Sequence, residues 1–458
     1  MQSVRDKMGD HKGGASLLDA LTKLVGRFMG DADLGAVAKG AFFAMGIRVG
    51  GAAVALVSQV LLARWMGVFE YGVFAYVWVW VTLLGFIAGL GLPDAIMKLH
   101  AQYRAKTDWE RIRGVLVASR RMAFSFGLLL MGAGWLFLYA GTPLIDSYYV
   151  APFAIGLLCV PVQASADVHG GMARANGWVN LAYMPHYIFR PLGILLIVGT
   201  MEFSGMSPTG ISAVAALFGA VVAASTGQFV ILKWRLHKHF PRPKPIIESR
   251  IWLLIALPFL MIQGFELVIE NMDTMMIGHY LTPESVGIYY ASVRINSLAG
   301  FVLFSVMALA TPKIAEFHAS GNRDDLRRFL SRVTHMIFWP TLGVVVGLVV
   351  LGPFLLGLFG GDFGAAYPAL LVLLAGMLVR AAGGPVDYLL NMTGHQKHAT
   401  IAYGIAASTN LVLNIAFIPQ WGILGAAIAT AVSRILLTLI LSATAWRMLG
   451  IRAFVFAS

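Results

Sequence analysis

Charged side chains are scarce: Asp, Glu, Lys and Arg make up 12% of the 458 residues, against 58% hydrophobic. A water-soluble domain carries about twice that charged fraction, which excludes an ordinary soluble enzyme. Cysteine is nearly absent, and the lone Cys159 has no partner for an intrachain disulfide. The chain also lacks a Walker loop, an HExxH pair and any Cys/His group at metal-ligand spacing, so nucleotide hydrolysis and zinc chemistry are without their signatures. No serine-nucleophile elbow replaces them. Acidic residues are the scarcer sign, 22 against 34 Lys and Arg, for a formal net charge of +12. Such an excess in a soluble chain would suggest nucleic acid. Here the basic residues sit mainly in particular loops, so the excess is a topology signal and no nucleic-acid partner is expected.

What is abundant is apolar sequence in runs of about 20 residues, the length that crosses about 30 Å of hydrocarbon as helix. Mean hydropathy is +0.76. The 50 glycines and 18 prolines do not oppose helices in this setting, because small residues let helix backbones approach and a bilayer-embedded helix tolerates proline. Twelve spans are predicted: 38–63, 71–97, 116–141, 150–172, 178–199, 209–233, 251–277, 286–311, 332–358, 367–391, 400–418 and 422–446. Ahead of them, residues 16–29 place Leu17, Leu18, Leu21, Leu24, Val25 and Phe28 on one face, as an interfacial helix does. The charged residues of 1–36 give no sign of a cleavable signal peptide.

The connections alternate in charge. Lys98, Arg104, Lys106, Arg111, Arg113, Arg120 and Arg121 fill one, and Lys233, Arg235, Lys238, Arg242, Lys244 and Arg250 another; Lys313, Arg323, Arg327, Arg328 and Arg332 fill a third. The connections around 64–70, 200–208, 278–285, 359–366 and 419–421 hold Arg64 as their only Lys or Arg. With twelve spans and both termini in the cytoplasm every basic loop falls on one side. The turn holding His395, Lys397 and His398 joins that side rather than forming a metal site.

An internal repeat divides the spans into halves. Residues 210–236 align without gaps to 422–448, matching Gly210 to Gly422 and Trp234-Arg235 to Trp446-Arg447. Asp167 and Met172 match Asp387 and Met392, and Tyr71-Gly72-Val73 resembles Val286-Gly287-Ile288. Six spans per half return the chain to the same side, so the halves share one orientation about an axis along the membrane normal. The expected fold is an all-α polytopic membrane protein of about twelve transmembrane helices in two parallel six-helix lobes. Its divisions are a cytoplasmic segment 1–37, an N-lobe 38–236, a linker 237–250, a C-lobe 251–448 and a tail 449–458.

Within the spans lie Arg48, Asp167, Arg190, Glu266, Glu270, Asp273, Arg294, Arg380, Asp387 and Arg434. A charge at the bilayer centre costs about 2.5–3.5 kcal/mol on insertion scales, so these side chains are expected to face a cavity or a partner. Gln263, Glu266, Glu270 and Asp273 recur at steps of three and four, as do Tyr183, His186 and Arg190, which gathers each set toward one helix face. Arg380, Asp387 and Asn391 form a third stripe. Two readings remain open, ion pairs that only lock helices together and a shared wet pathway. A guanidinium fork suits phosphate, and a carboxylate among Glu266 and Glu270 suits proton linkage.

The segments LLARWMGVFEYGVFAY (61–76), GLGLPDAIMK (89–98), ENMDTMMIGHYLTPESVGIYYAS (270–292), NMTGHQKHAT (391–400) and IPQWGILGAAIATAVSR (418–434) carry a resemblance over roughly 38–448. The chain resembles the multidrug/oligosaccharidyl-lipid/polysaccharide exporter superfamily, and within it the polysaccharide-biosynthesis flippases. That resemblance implies the exporter-superfamily fold and alternating access, moving a lipid-diphosphate-linked glycan across a bacterial inner membrane without enzymatic chemistry. It implies headgroup contact by Arg48 and Arg294, then Arg190 and Arg380, and ion coupling or cavity roles for Glu266, Glu270, Asp273, Asp167 and Asp387. No cofactor is implied beyond a coupling ion, H+ or Na+. Expected partners are the lipid-linked glycan, membrane lipids and polysaccharide polymerase or assembly proteins. The three clustered carboxylates Glu266, Glu270 and Asp273 equally suit a proton- or sodium-coupled exporter of drugs and organic cations, which stands as the alternative; a membrane glycosyl- or acyltransferase is the enzymatic reading.

Overall fold

A computed structural model describes residues 34–456 apart from 142–144, 240, 242, 320–322 and 452. The predicted interfacial helix at 16–29 and the side chain of Arg48 lie outside the described residues. Residues 1–43 and 44–458 are separate units; of the first, residues 34–43 are helical. All that follows concerns the second.

The described residues form helices and no strand, in the order α1 (Leu34–Ala88), α2 (Leu92–Ala105), α3 (Trp109–Ala140), α4 (Ser147–Ala175), α5 (Val179–Met184), a π-turn (Pro185–Phe189), α6 (Arg190–Phe203) and α7 (Gly210–His239). There follow α8 (Ser249–Tyr280), α9 (Pro283–Ala319), α10 (Arg323–Phe359), a 3-10 turn (Gly361–Ala366), α11 (Tyr367–Ala382), α12 (Val386–Met392) and α13 (Gln396–Leu449). Among the described residues ten stretches are long and apolar enough to cross a membrane. The first and last of them double back at a glycine, which makes twelve crossings.

The reversals follow from backbone geometry. Gly67 (φ 75°) and Gly422 (φ 58°) leave the helical region, a conformation open to glycine and strained for other residues. Across Gly67, Tyr71 donates to Gln59 Oε1 at 2.9 Å, a pair that a straight helix would hold roughly 18 Å apart. Across Gly422, Asn410 donates to Thr430 Oγ1 at 3.0 Å, against roughly 30 Å along a straight helix. Gly422 thus opens the twelfth crossing as its repeat partner Gly210 opens α7.

Three predicted spans are not continuous helices. The span 71–97 breaks at Gly89–Gly91, where Leu90 and Gly91 have positive φ and Pro93 starts α2. The span 178–199 contains the π-turn ahead of Pro191. The span 367–391 breaks at Gly383–Pro385, with Gly384 at φ 68°. In each case proline removes a backbone donor, and backbone freed at membrane depth needs another partner. Arg380 supplies one at the third break, donating to Gly384 O at 3.0 Å.

Helices α2, α3, α4, α6 and α7 pack among themselves, and α8 to α13 do likewise. The two sets meet at both ends. Toward the basic connections, α2 lies on α8, where Gln263 donates to Asp94 Oδ2 at 2.6 Å. At the opposite end the repeat-equivalent Gly72 and Gly287 abut: a Cβ on Gly287 would lie 2.7 Å from Val68 O and 3.3 Å from Gly72 N. Residues that mirror each other across a symmetry axis approach where that axis passes, and only glycine leaves room for the two backbones. Arg64 also donates there to Leu358 O at 2.7 Å. The segment between the sets is clamped by Arg111, which donates to both oxygens of Glu248 at 3.1 Å. Asp108, at the start of α3, accepts from the Arg111 backbone N at 3.0 Å; that donor holds its carboxyl below the usual range.

Candidate functional site

Three neighbouring cavities carry eight of the ten charged in-span residues, the other two being Asp273 and Arg48, whose side chain lies outside the described residues. The first, about 280 Å³, lies in the N-terminal set and is walled by Asp167, Arg174, Tyr183, His186, Arg190 and Gln228 among others. The second, about 400 Å³, lies in the C-terminal set against Glu266, Glu270, Arg294, Arg380, Asp387 and Arg434. The third, about 310 Å³, bridges the two. It shares Arg190 and His186 with the first and Glu270, Tyr290 and Arg294 with the second. The deep charges therefore border one chain of adjoining spaces rather than separate ion pairs scattered through the bundle. Each space is of a size that holds part of a ligand.

Arg190 follows the π-turn at the start of α6, on the helix face shared with His186 and Tyr183. It donates to Gln163 Oε1 at 3.2 Å, contacts His186 Nε2 at 3.2 Å and lies 4.4 Å from the Trp78 ring centroid. Gln163 in turn donates to Asp167 Oδ1 at 3.1 Å. Arg294, one turn after Tyr290 on α9, donates to the Tyr290 hydroxyl and stacks 4.3 Å from its ring. Among the described residues neither arginine has a carboxylate within ion-pair distance, and Nε of each finds no acceptor. Both charges are held in place by aromatic rings and neutral oxygens, so their fields remain available to the third cavity.

Arg380 differs. It pairs with Asp387 Oδ2 at 2.7 Å, with side-chain exposures of only 12% and 9%, and the pair seals the broken backbone of the tenth crossing. Glu266 and Glu270 are exposed to the second cavity. Asp273, expected on the same stripe, is absent from that wall and only 2% exposed. Asp273 stands two turns beyond Glu266, rotated from it by only about 20° but displaced roughly 10 Å along the axis, where α8 packs against α9 and α13. There its carboxylate accepts from Tyr289 and Thr430, from Asn414 at 2.9 Å and from Asn410 at 3.3 Å. Four neutral donors thus satisfy the buried carboxylate where it sits, and Asn414 Oδ1 is the acceptor beside it without a partner among the described residues. Among the described residues no group of three or more His, Cys, Asp or Glu could hold a metal.

Gln163, Trp78, Tyr290, Asn410, Asn414 and Thr430 were not singled out from the sequence. The spacing of Asn410 and Asn414, one helical turn apart in an apolar run, was the available signal. Aromatic support of an arginine carries no sequence periodicity.

Two six-crossing sets of like orientation around a polar interior define a membrane transporter of the exporter-superfamily type. Comparison with known proteins narrows this. The family model described as polysaccharide biosynthesis protein matches residues 37–318, and the MatE model matches 258–416. Stage V sporulation protein B of Bacillus subtilis is 25% identical over 429 residues, covering 86% of this chain and 80% of its own. The probable flippase AglR of Haloferax volcanii is 28% identical over 165 residues, 35% of either chain; the match to that relative thus spans about a third of its length. Among solved structures, lipid II flippase MurJ in an inward closed conformation gives a TM-score of 0.72 at 16% identity over 88% of this chain and 87% of that one. An inward-facing MATE multidrug transporter gives 0.67 at 14% identity over 89% and 94%. The chain belongs to the polysaccharide biosynthesis protein family of this superfamily, whose members are transporters and flippases rather than enzymes.

Proposed function

We propose that the chain moves a lipid-diphosphate-linked oligosaccharide or polysaccharide repeat unit across the cytoplasmic membrane of a bacterium by alternating access. The observation that carries the reading is the pair Arg190 and Arg294, one from each half, on the wall of the bridging cavity without carboxylate partners. Two guanidinium groups with unused donors suit the oxygens of a diphosphate. The polyprenyl tail stays in lipid while the headgroup passes between the halves. Arg48 belongs to the same proposal through its place in the first crossing, and Arg380 and Asp387 support the wall. The rocking bodies are 38–236 and 251–448, joined by 237–250, with the basic connections and both termini in the cytoplasm.

Coupling to H+ or Na+ falls to Asp273 in its ring of neutral donors and to Glu266 and Glu270, with Asp167 lining the first cavity. Glu266 and Glu270 are also the observation that favours the second reading, export of an organic cation. Deleting the gene in its host and analysing lipid-linked glycans separates the two. Accumulation of one such glycan on the inner leaflet, reversed by the wild-type gene and not by Arg294→Gln, is the expected result. Normal surface glycan with new sensitivity to cationic drugs would replace the flippase reading. Glycan polymerase or assembly proteins are the partners this role requires.

A further inference from the structure

A fourth cavity, about 280 Å³, opens between α3, α4 and α7 near the basic connections, and it shares no wall residue with the three described above. Its floor is apolar, formed by Ile112, Leu116, Val117, Met172, Leu232 and Leu236. Its polar wall is of one sign: Arg113, Arg120 and Lys233 with His169 and His237, and no carboxylate. Arg113 and Arg120 stand two turns apart on α3, so they face the same gap. Arg120 lies 4.8 Å from the Phe229 ring centroid, and His169 stacks on the other contact of that ring at 5.3 Å. His169 is the telling residue. It is 3% exposed, and neither ring nitrogen has a partner among the described residues. A buried imidazole leaves both nitrogens unsatisfied only at a cost, and this one borders the cavity.

We propose that this cavity is a binding site for an anionic phospholipid. Its phosphate would be held by Arg120, Lys233 and the His169 N–H, and an acyl chain would lie along the leucine floor. A free inorganic phosphate satisfies the cationic wall but leaves the apolar floor against water; an apolar molecule satisfies the floor but leaves the charges and His169 unanswered. A lipid headgroup with its chain satisfies both. The location fits, since the site lies at the end of the helices where basic side chains meet the headgroup layer.

The test uses the full chain in detergent, titrated with phosphatidylglycerol and with phosphatidylcholine of the same acyl length. Retained lipid is read by native mass spectrometry, and the shift in thermal midpoint is recorded alongside. Wild type is expected to prefer phosphatidylglycerol, and Arg120→Gln/Lys233→Gln to lose that preference by about tenfold. The control Arg327→Gln/Arg328→Gln, removing equal charge from another connection, is expected to keep it. His169→Phe preserves the stack on Phe229 and removes both nitrogens, so it should fold normally and lose part of the preference. Equal preference in wild type and the Arg120/Lys233 variant, or equal loss in the control, would overturn the site. Stabilisation by inorganic phosphate alone to the same extent as by phosphatidylglycerol would overturn the lipid assignment.

Discussion

Arg294 and Arg380 sit on the same cavity wall yet should respond oppositely to replacement by glutamine. Arg294 has no carboxylate to abandon. Its loss removes stacking on Tyr290, worth about 0.5–2 kcal/mol, and leaves no buried charge behind. In substrate binding it would forfeit a charge-assisted bond to phosphate, about 1.5–3 kcal/mol, which is a weakening of roughly 10- to 150-fold. Arg380→Gln instead strands Asp387, whose side chain is 9% exposed, and breaking a buried pair costs about 3–5 kcal/mol. The Gly384 carbonyl also loses its donor. The assay is paired: equilibrium binding of a short-chain polyprenyl-diphosphate glycan to purified protein, and denaturant or thermal unfolding of the same samples. Arg294→Gln is expected to bind weakly at near-normal stability, Arg380→Gln to be poorly stable, and Arg380→Gln/Asp387→Asn to recover much of that stability. If Arg294→Gln unfolds as readily as Arg380→Gln while binding normally, the distinction between an available and a neutralised arginine is wrong.

Asp273→Asn keeps the shape of the buried ring and removes its charge; transport in sealed vesicles should lose its dependence on the Na+ or H+ gradient while headgroup binding stays within about twofold, and a gradient response equal to wild type would remove Asp273 from coupling. Gly72→Val forces a side chain against the Pro283 and Gly287 backbones; in an Arg64→Cys/Leu358→Cys background its disulfide yield should fall and transport should stop, whereas unchanged yield would mean the two ends are not held by this contact. Asp94→Asn keeps an acceptor for Gln263 but drops the ion pair to Arg174 at 3.1 Å; a half-exposed pair of this kind is worth about 0–1 kcal/mol, so stability should barely change, and a large loss would show the pair to be more buried than its surroundings indicate.

Crossing number and the two-fold division were legible because each rests on a repeated signal. Hydropathy recurs twelve times, loop charge alternates with it, and Gly210 and Gly422 begin equivalent crossings. What spacing could not give was the path of the backbone within a crossing. The breaks at 89–91 and 383–385 are written in Gly and Pro, but those residues also occur inside intact bilayer helices such as α10 with Pro340 and Pro353. At the site, helical periodicity put Tyr183, His186 and Arg190 on one wall correctly. It put Asp273 on the face of Glu266 but gave no neighbour at that depth, and roughly 10 Å further along the same face meets Asn410, Asn414 and Thr430 of α13 instead of a cavity. The division between neutralised Arg380 and unpaired Arg190 and Arg294 depends on contacts made through space by a second helix or a break, which no one-dimensional spacing records.

The two ends of the interface between the halves are held by different contacts, and both must part in turn for access to alternate. Toward the basic connections Gln263 bonds Asp94, Gly91 is drawn against the α8 backbone, and Trp252, fully buried, donates to the Tyr103 hydroxyl at 3.1 Å. A hydrogen bond of this type contributes about 1 kcal/mol net, since water replaces it on separation. At the opposite end Tyr71, fully buried, packs at 5.9 Å on Phe363 and 6.4 Å on Phe359 from the other half, both of them 1% exposed. An aromatic side chain buries about 150–250 Å², so exposing about 100 Å² on each ring costs roughly 2.5 kcal/mol at 25 cal/mol/Å². Parting either end therefore uncovers buried aromatic surface, Trp252 at one and Tyr71 with its two phenyl neighbours at the other, and requires a source of free energy beyond the loss of single hydrogen bonds. In the proposed cycle that source is a bound headgroup drawing Arg190 and Arg294 together, or an ion entering beside Asp273.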